Sequence, residues 1–407
     1  AILSLASYTG LIYLYKKRRR ELAAFLALAL VAVEAAVNTT VTSVTTTSRE
    51  AYTRDNKEVQ ALMEKLEPAE DFYRVEKKTR KTKNDGAWMN FPSVSLFSST
   101  ANADLTKFFK RMGCEASTNA YSITGSTPLV DSLLSVRYAL YSEYIPNTDL
   151  VNYIQESGGT YLYENLYTLP LGFVLPYDLA DNWQYQMENP AEVQNDLCLL
   201  LGTDDVLVPV ETEVSGSGCT FTADMAGEYY VYIQNKKVKN VKASLPSGEK
   251  NFSNVDRGYL LEMGNLSEGS RITLTPGESG ETLTAAVYRF SPRAMIQVHD
   301  RLSQSPLHLD SWRDTKLTGT VTAAESGTLF LSIPYDEGWT ITIDGQPAEG
   351  EKILEAFLSV PVEAGTHEIS LIYMPGGLVP GAILSGVSLA VLALLWLVKR
   401  RRSGRAG

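Results

Sequence analysis

Three apolar runs stand out in the hydropathy pattern of the chain, and the last two are long enough to cross a membrane. The last has 21 uncharged residues in a row and ends at KRRR, and a hydrocarbon core needs about 20 apolar residues. We therefore predict a transmembrane helix over 377–398. A second is predicted over 21–44, where Glu34 is the one ionisable residue inside the apolar run. The first run, 1–15, also lacks charge, and it is predicted to be a truncated transmembrane helix.

Two basic clusters, at 16–20 and in the tail at 399–407, give these helices an orientation. Lys and Arg beside membrane spans stay in the cytoplasm, so we predict both clusters as cytoplasmic and the segment 38–377 as extracellular. Because the chain begins at Ala1 inside an apolar run, we expect it to be the C-terminal part of a longer multi-pass protein. Glu34 is then either a functional carboxylate within the membrane or a residue near the outer interface.

Beyond residue 205 apolar and polar positions alternate, as is typical of strands. The alternation is clear in six segments separated by Gly-rich turns: 228–235, 269–275, 283–290, 327–333, 338–345 and 366–374. There is also an internal repeat, since FTADMAGEYYVYI (221–233) aligns with VTAAESGTLFLSI (321–333) at an offset of 100 residues. We therefore predict two tandem β-sandwich-like modules, at 206–295 and 296–376.

The segment 45–205 is predicted to be an extracellular α/β region that is rich in tyrosine. It begins with a predicted amphipathic helix over 50–66, and ten tyrosines fall between 121 and 185. Tyrosine offers an apolar ring and a hydroxyl, which suit either sugar rings or ordinary packing. The predicted fold is thus a membrane protein in which transmembrane α-helices flank a large extracellular α+β region with two β-sandwich-like modules.

The charge balance excludes a nucleic-acid partner. Ten of the 37 Lys and Arg lie in the two clusters beside the apolar runs, so 27 basic residues stand against 47 acidic ones elsewhere. Phosphate contacts along a nucleic acid need a basic face. Three cysteines without a CxxC pair and three scattered histidines predict no metal site. No P-loop, dinucleotide-binding or nucleophile-elbow motif is present.

One strongly basic loop, KKTRKTKNDG (77–86), interrupts this acidic region. Its cations suit lipid phosphates or a polyprenyl-phosphate sugar donor near the outer leaflet, and a solvated loop is the other interpretation. Asp85 is the only carboxylate in the loop, and general acid–base catalysis needs one.

Two long segments resemble the YfhO family of bacterial membrane proteins. One begins at DFYRVEKKTRKTKNDGAWMNFPSVSLFSST (71–100) and continues to GSTPLVDSLLSVRYALYS (125–142). The other is the tail, 332–396, with the pattern IPYDxGWxxxxDG, then AGxHxIxLxY, then the terminal apolar helix. The resemblance covers nearly the whole chain.

Members of this family resemble the lipid-dependent glycosyltransferases of the GT-C type. The resemblance implies transfer of a sugar, without a cofactor, from a polyprenyl-phosphate donor to a cell-envelope polymer such as lipoteichoic acid. It implies a place in the bacterial plasma membrane, in contact with membrane lipids, and a catalytic acid upstream of residue 1, so no catalytic residue is assigned here. A non-catalytic, membrane-anchored glycan- or protein-binding module is the alternative. The candidate substrate-binding residues are Arg80, Lys83, Asn84, Asp85, Tyr121 and Ser126.

Overall fold

The computed structural model describes residues 2–45, 49–66, 71–183, 187–278 and 280–403. The chain divides into two compact units, residues 1–59 and 60–407. The described helices of the first unit are α1 (Ile2–Lys16), α2 (Arg20–Thr45), α3 (Arg49–Thr53) and the start of α4 (Asn56–Met63).

The long helix of the first unit matches the predicted span. Its segment Arg20–Thr42 has a mean hydropathy of 2.0 and is long and apolar enough to cross a membrane. α1 runs beside it, and the Tyr8 hydroxyl donates a hydrogen bond to Glu34 Oε2 at 2.8 Å. The amphipathic helix predicted over 50–66 is instead two short helices. Asp55 lies between them with a φ of 65°, a left-handed conformation that an α-helix cannot contain.

The second unit begins with short helices packed around two small sheets. One sheet has the order β1-β5-β7-β6, with β1 parallel to β5, and the other has the order β2-β4-β3. The elements up to residue 201 are β1 (Arg74–Lys77), α5 (Asp85–Met89), β2 (Leu96–Phe97), α6 (Ala103–Arg111), β3 (Ala116–Ser117), β4 (Ala120–Tyr121), α7 (Pro128–Leu133), β5 (Val136–Tyr141), β6 (Val151–Ser157), β7 (Thr160–Asn165), β8 (Gly172–Pro176), α8 (Tyr177–Asn182) and α9 (Pro190–Leu201).

Many of the tyrosines of this region pack against one another. Tyr163 is fully buried, and its ring meets those of Tyr141 and Tyr153 at centroid distances of 5.2 and 5.6 Å. Such edge-to-face pairs add to the stabilisation from burial. Tyr144, in contrast, is exposed, and Tyr185 lies outside the described residues. Packing therefore accounts for the tyrosines at the centre of the β1-β5-β7-β6 sheet.

The segment from 207 to 290 forms two sheets that share one hydrophobic cluster. Their orders are β10-β11-β16-β13-β14 and β15-β12-β17-β9. The strands are β9 (Leu207–Val210), β10 (Glu213–Ser215), β11 (Gly218–Thr222), β12 (Gly227–Ile233), β13 (Asn240–Leu245), β14 (Gly248–Ser253), β15 (Leu261–Leu266), β16 (Arg271–Pro276) and β17 (Ala285–Phe290), with a 3₁₀ turn at Val255–Arg257.

The segment from 307 to 373 repeats this arrangement. Its sheet β18-β19-β25-β21-β22 has the same strand order as β10-β11-β16-β13-β14, which is what the 100-residue repeat leads one to expect. Its second sheet, β23-β24-β20-β8, takes its last strand from the preceding region. The elements are α10 (Pro292–Leu302), β18 (Leu307–Arg313), β19 (Lys316–Ala323), β20 (Gly327–Pro334), β21 (Trp339–Ile343), β22 (Gln346–Ala348), β23 (Glu351–Ile353), β24 (Phe357–Val362) and β25 (Gly365–Tyr373).

The chain ends in a second apolar helix, α11 (Leu378–Ser403). Its segment Leu378–Leu397 has a mean hydropathy of 2.3 and is again long and apolar enough to span a membrane. The described residues thus form a sheet-rich middle with an apolar helix near each end. Another hydrophobic cluster joins the tyrosine-rich region to residues of both repeated segments, among them Tyr230 and Phe357.

Candidate functional site

Two of the sequence candidates hold the basic loop in shape. The buried carboxylate of Asp85 accepts hydrogen bonds from the backbone N–H groups of Lys81 and Thr82, at 2.7 and 2.9 Å. The Asn84 side chain exchanges two hydrogen bonds with the backbone of Phe97, at 2.8 and 2.9 Å. Side-chain bonds of this kind close loops by satisfying backbone groups that no helix or sheet serves. Asp85 and Asn84 therefore position the cations around them.

Arg80 and Lys83 share one acidic partner that lies outside the loop. Glu115 Oε2 lies 2.7 Å from Arg80 Nη2 and 3.1 Å from Lys83 Nζ. Burial favours the neutral form of Glu115, but the attraction of Lys83 and Arg80 is stronger, and the net result is a lowered pKa for this carboxyl. The basic loop is thus tied to the rest of the second unit by charge.

Lys78 pairs with a second acidic partner, Asp131. Its ammonium lies 3.1 Å from Asp131 Oδ2 and donates to the Ser126 hydroxyl at 3.3 Å. Burial disfavours the charged ammonium, yet the attraction of Asp131 and Glu262 outweighs burial and raises the pKa of Lys78 well above its usual range. Asp131 Oδ1 has no hydrogen-bond donor among the described residues. Ser126, the candidate in the GSTP turn, is therefore a direct partner of a buried charge.

Of these groups, Lys78 and Arg80 line a cleft of about 240 Å³ between the basic loop, the turn at 123–125 and the strands β14 and β15. Lys78, Arg80, Lys250 and Glu262 contribute the charged side chains of its wall. The volume is below the usual 300–1,000 Å³ of pockets for drug-sized ligands and suits a compact headgroup. Among the residues that line the cleft, three cations, Lys78, Arg80 and Lys250, stand against one carboxylate, Glu262.

A close contact between the backbones at Gly125, Gly113 and Leu260 forms the floor of the cleft. Gly125 has a φ of 83°, and a Cβ there would lie 2.5 Å from the carbonyl oxygen of Gly113 and 2.6 Å from that of Leu260. The N–H of Leu260 donates to the Gly113 carbonyl at 2.8 Å, and Gly125 N–H donates to Glu262 Oε1 at 2.8 Å. Only glycine fits this position without displacing the backbone. The GSTP turn thereby docks onto the first repeated segment.

Tyr121 lies away from the cleft. It is 5% exposed, and its ring stacks on that of Phe109 with a centroid distance of 4.6 Å. Burial raises the pKa of its hydroxyl. Sequence reasoning did not select Lys250 and Glu262, because they lie more than a hundred residues from the loop and carry no local motif. Within the described ranges, no group of three or more His, Cys, Asp or Glu side chains is arranged to hold a metal ion.

Comparisons with solved structures give only distant likenesses. The arabinofuranosyltransferase AftD from Mycobacteria aligns over 40% of this chain and 14% of its own, at 12% identity and a TM-score of 0.19. A cupin 2 conserved barrel domain protein from Leptotrichia buccalis aligns over 42% of this chain and 89% of its own, at 13% identity and a TM-score of 0.12.

Comparisons of sequence are more informative. A protein of Bacillus subtilis (strain 168), described as uncharacterized protein YfhO, is 31% identical over 94 residues, which are 23% of this chain and 11% of that protein. The match thus spans about a tenth of the relative's length. The family described as bacterial membrane protein YfhO matches residues 1–208 and 210–385. The chain therefore belongs to the YfhO family of bacterial membrane proteins.

Proposed function

We propose that this chain is the C-terminal region of a multi-pass membrane glycosyltransferase. The whole protein would transfer a sugar from a polyprenyl-phosphate donor to a cell-envelope polymer such as lipoteichoic acid. Membership of the YfhO family and the family's resemblance to GT-C enzymes support this proposal. In it, α2 and α11 span the bacterial plasma membrane among its lipids, residues 38–377 lie outside the cell, and the catalytic acid belongs to a part of the protein beyond this chain.

The observation that carries the proposal is the positively charged cleft formed by Lys78, Arg80 and Lys250. Phosphate oxygens accept charge-assisted hydrogen bonds from ammonium and guanidinium groups. The excess of cations over carboxylates favours an anion, and the small volume favours a phosphate over a whole sugar. The cleft therefore takes the phosphate of the donor, with Ser126 and Asp131 holding Lys78 in place behind it.

A binding experiment tests this assignment on the full-length protein in detergent micelles. Decaprenyl phosphate is the probe, and uncharged decaprenol controls for hydrophobic binding. Lys250 is exposed, and among the described residues its ammonium donates to the Met263 carbonyl, so Lys250→Met should leave the fold intact. Lys239→Met, at another exposed lysine of the same segment, is the matched control.

Hydrogen bonds to charged groups contribute about 1.5–3 kcal/mol, so Lys250→Met should weaken decaprenyl phosphate binding about tenfold or more. Lys239→Met should bind the probe as the wild type does. Added salt should weaken the wild type more than the Lys250→Met variant, because the partly exposed charge is screened. Equal binding of decaprenol and decaprenyl phosphate, or no effect of Lys250→Met, contradicts the assignment.

The second candidate function is a membrane-anchored module that binds glycans or proteins without chemistry. The observation in its favour is the repeated strand order of the two β segments, which is a scaffold without any catalytic group assigned to it. The two functions differ in what loss of the protein does to the envelope. An enzyme leaves its acceptor polymer without a sugar substituent, whereas a binding module leaves the chemical composition of the polymer unchanged.

A further inference from the structure

The strand that leads into α11 ends in an exposed apolar patch. Ile372 of β25 is 47% exposed, and Met374, directly after the strand, is 52% exposed. Trp339, the first residue of β21, pairs with Tyr373 in the sheet, and the centroids of their partly buried rings lie 5.0 Å apart. These four residues, which we call the apolar rim, lie at one end of the second repeated segment.

The link between the apolar rim and α11 is short and turned. The Met374 N–H donates to the Gly338 carbonyl at 2.9 Å, so the chain is still fixed to the sheet at this residue. Leu378 begins α11 four positions later, and its N–H donates to the Pro375 carbonyl at 3.2 Å. Four residues span at most about 14 Å when extended, and a turn shortens this distance. The apolar rim therefore lies close to the first turn of α11.

The length of α11 sets the depth at which this first turn lies. The apolar segment Leu378–Leu397 has 20 residues, which at 1.5 Å per residue extend over about 30 Å, the thickness of the hydrocarbon core. When α11 spans the membrane, Leu378 lies at the edge of the hydrocarbon. The headgroup layer, about 5–8 Å thick, begins there. The apolar rim is thus brought into this layer or against it.

The side chains of the apolar rim suit that environment. Trp and Tyr are enriched at membrane–water interfaces, because their rings offer an apolar body with a polar tip. Trp396 lies near the other end of the apolar segment, with the Arg400 guanidinium 5.3 Å from the centroid of its ring. The Trp339–Tyr373 pair and Trp396 therefore mark the two opposite ends of one span.

The exposed charged residues beside the apolar rim carry both signs: Arg313, Asp314, Lys316, Asp336 and Glu337. Lys316 is in register with Ile372 across the sheet, and Asp336 Oδ1 accepts a hydrogen bond from the Gly338 N–H at 2.7 Å. Two cations against three carboxylates do not favour anionic lipids, which attract clusters of Lys and Arg. The aromatic and apolar side chains therefore carry the contact with the bilayer.

We propose that the apolar rim rests in the headgroup layer of the bilayer and seats the second repeated segment on the membrane surface. The inference rests on the proposed function for the membrane span of α11, and it holds for either orientation of that helix. The partner is the lipid interface itself. A short link and a lipid contact together keep this β segment at a fixed height above the hydrocarbon.

Fluorescence quenching tests this contact on the full-length protein in phosphatidylcholine vesicles. The fluorophore NBD is attached to Ile372→Cys or Met374→Cys in the apolar rim, and to Ala364→Cys, an exposed position at the other end of β25, as the matched control. The wild type, whose Cys114, Cys198 and Cys219 are buried, gives the background labelling. Lipids that carry a nitroxide on the headgroup should quench the label severalfold more at 372 and 374 than at 364.

Labels within α11 separate this inference from the proposed function. Ile383→Cys, Leu384→Cys and Leu389→Cys place NBD at exposed positions on three sides of the helix, and a nitroxide in the middle of the acyl chain should quench at least one of them. Quenching there, with labels at 372 and 374 quenched no more than at 364, overturns the inference and leaves the span standing. No quenching at any of the three positions overturns the span, and the inference with it.

Tryptophan fluorescence of the unlabelled protein tests the aromatic pair directly. Trp339→Phe should lower the share of the emission that the headgroup nitroxide quenches. Trp183→Phe, at a residue that is 2% exposed, should not lower this share, because a tryptophan in the core is out of reach of the lipid. An unchanged share in Trp339→Phe contradicts the contact between the apolar rim and the headgroup layer.

Discussion

The ion pair between Lys78 and Asp131 is largely withdrawn from solvent, and its removal should be costly. The two side chains are 17% and 7% exposed, and their charged atoms lie 3.1 Å apart. Removing one partner of a buried pair costs about 3–5 kcal/mol, because the other charge stays buried without compensation. Residual solvent contact of Lys78 puts Lys78→Met at the lower end, about 3 kcal/mol. Asp131 would then lose its cation, and its Oδ1 already lacks a hydrogen-bond donor among the described residues.

Urea unfolding of the protein in micelles, followed by tryptophan fluorescence, measures this effect. A double-mutant cycle with Lys78→Met, Asp131→Asn and the combination isolates the interaction between the two residues. Each single change should lower the free energy of unfolding by about 3 kcal/mol, and the double variant should lose clearly less than the sum. The coupling should be about 2 kcal/mol or more.

An exposed pair of similar geometry provides the control. Lys242 Nζ lies 2.7 Å from Glu249 Oε1, and these side chains are 43% and 56% exposed. Water and salt screen such pairs, so Lys242→Met should cost less than about 1 kcal/mol. The reasoning is refuted if Lys78→Met costs no more than Lys242→Met, or if the effects of Lys78→Met and Asp131→Asn simply add.

Three further predictions concern the second unit. Gly125→Ala should cost about 3 kcal/mol in urea unfolding, whereas Gly159→Ala, with the same φ of 83° but open space around it, should cost about 1; equal costs would contradict the backbone clash. Burial raises the pKa of Glu228, so the stability that its protonated form contributes is complete below its unfolded pKa and is lost as the pH rises. Glu228→Gln should therefore match the wild type at pH 4 and exceed it in stability at pH 8, and a wild type that is the more stable at pH 8 refutes this. Burial raises the pKa of the Cys198 thiol to about 11, and Cys114 and Cys219 are buried as well. Iodoacetamide at pH 8 should therefore label none of the three cysteines before the protein unfolds, and fast labelling of the folded protein would count against their burial.

Local sequence patterns predicted an element well where the spacing of its apolar residues matches the face that is buried or the length of an apolar helix. The alternation in 228–235 corresponds to β12 at Gly227–Ile233, and that in 366–374 to β25 at Gly365–Tyr373. The helix predicted over 377–398 is confirmed as an apolar helix by α11. These elements were readable because one face of each strand is buried and the helix is apolar all round.

Pairing between distant segments could not be read in the same way. β8 joins the sheet of β20 through backbone hydrogen bonds, which leave no signature in side-chain order. Asp55 interrupts a helix that its neighbours favour, because a single residue with positive φ ends the hydrogen-bond ladder whatever the periodicity around it.

The candidate site shows the same difference between local sequence patterns and contacts that form only on folding. The basic loop is visible in the sequence as a cluster of cations, and the structure places its Arg80 in a cleft and its Lys78 beside Ser126. Composition alone does not distinguish a carboxylate that meets a ligand from one that closes a loop. Asp85 has its acceptor capacity taken up by backbone N–H groups, which only the folded loop reveals. Substrate binding by Arg80 and Ser126 stays a prediction.

The central claim is that the full-length protein transfers a sugar to an envelope polymer, and its most direct test is the composition of that polymer. The gene is deleted, and envelope glycopolymers are compared by mass spectrometry with those of strains complemented by the wild type, by Lys250→Met, or by a protein lacking residues 38–377. The account predicts that deletion removes a hexose or acetylhexosamine substituent, that only the wild type restores it fully, and that Lys250→Met restores it in part. An unchanged glycan profile after deletion contradicts the account and favours the binding module.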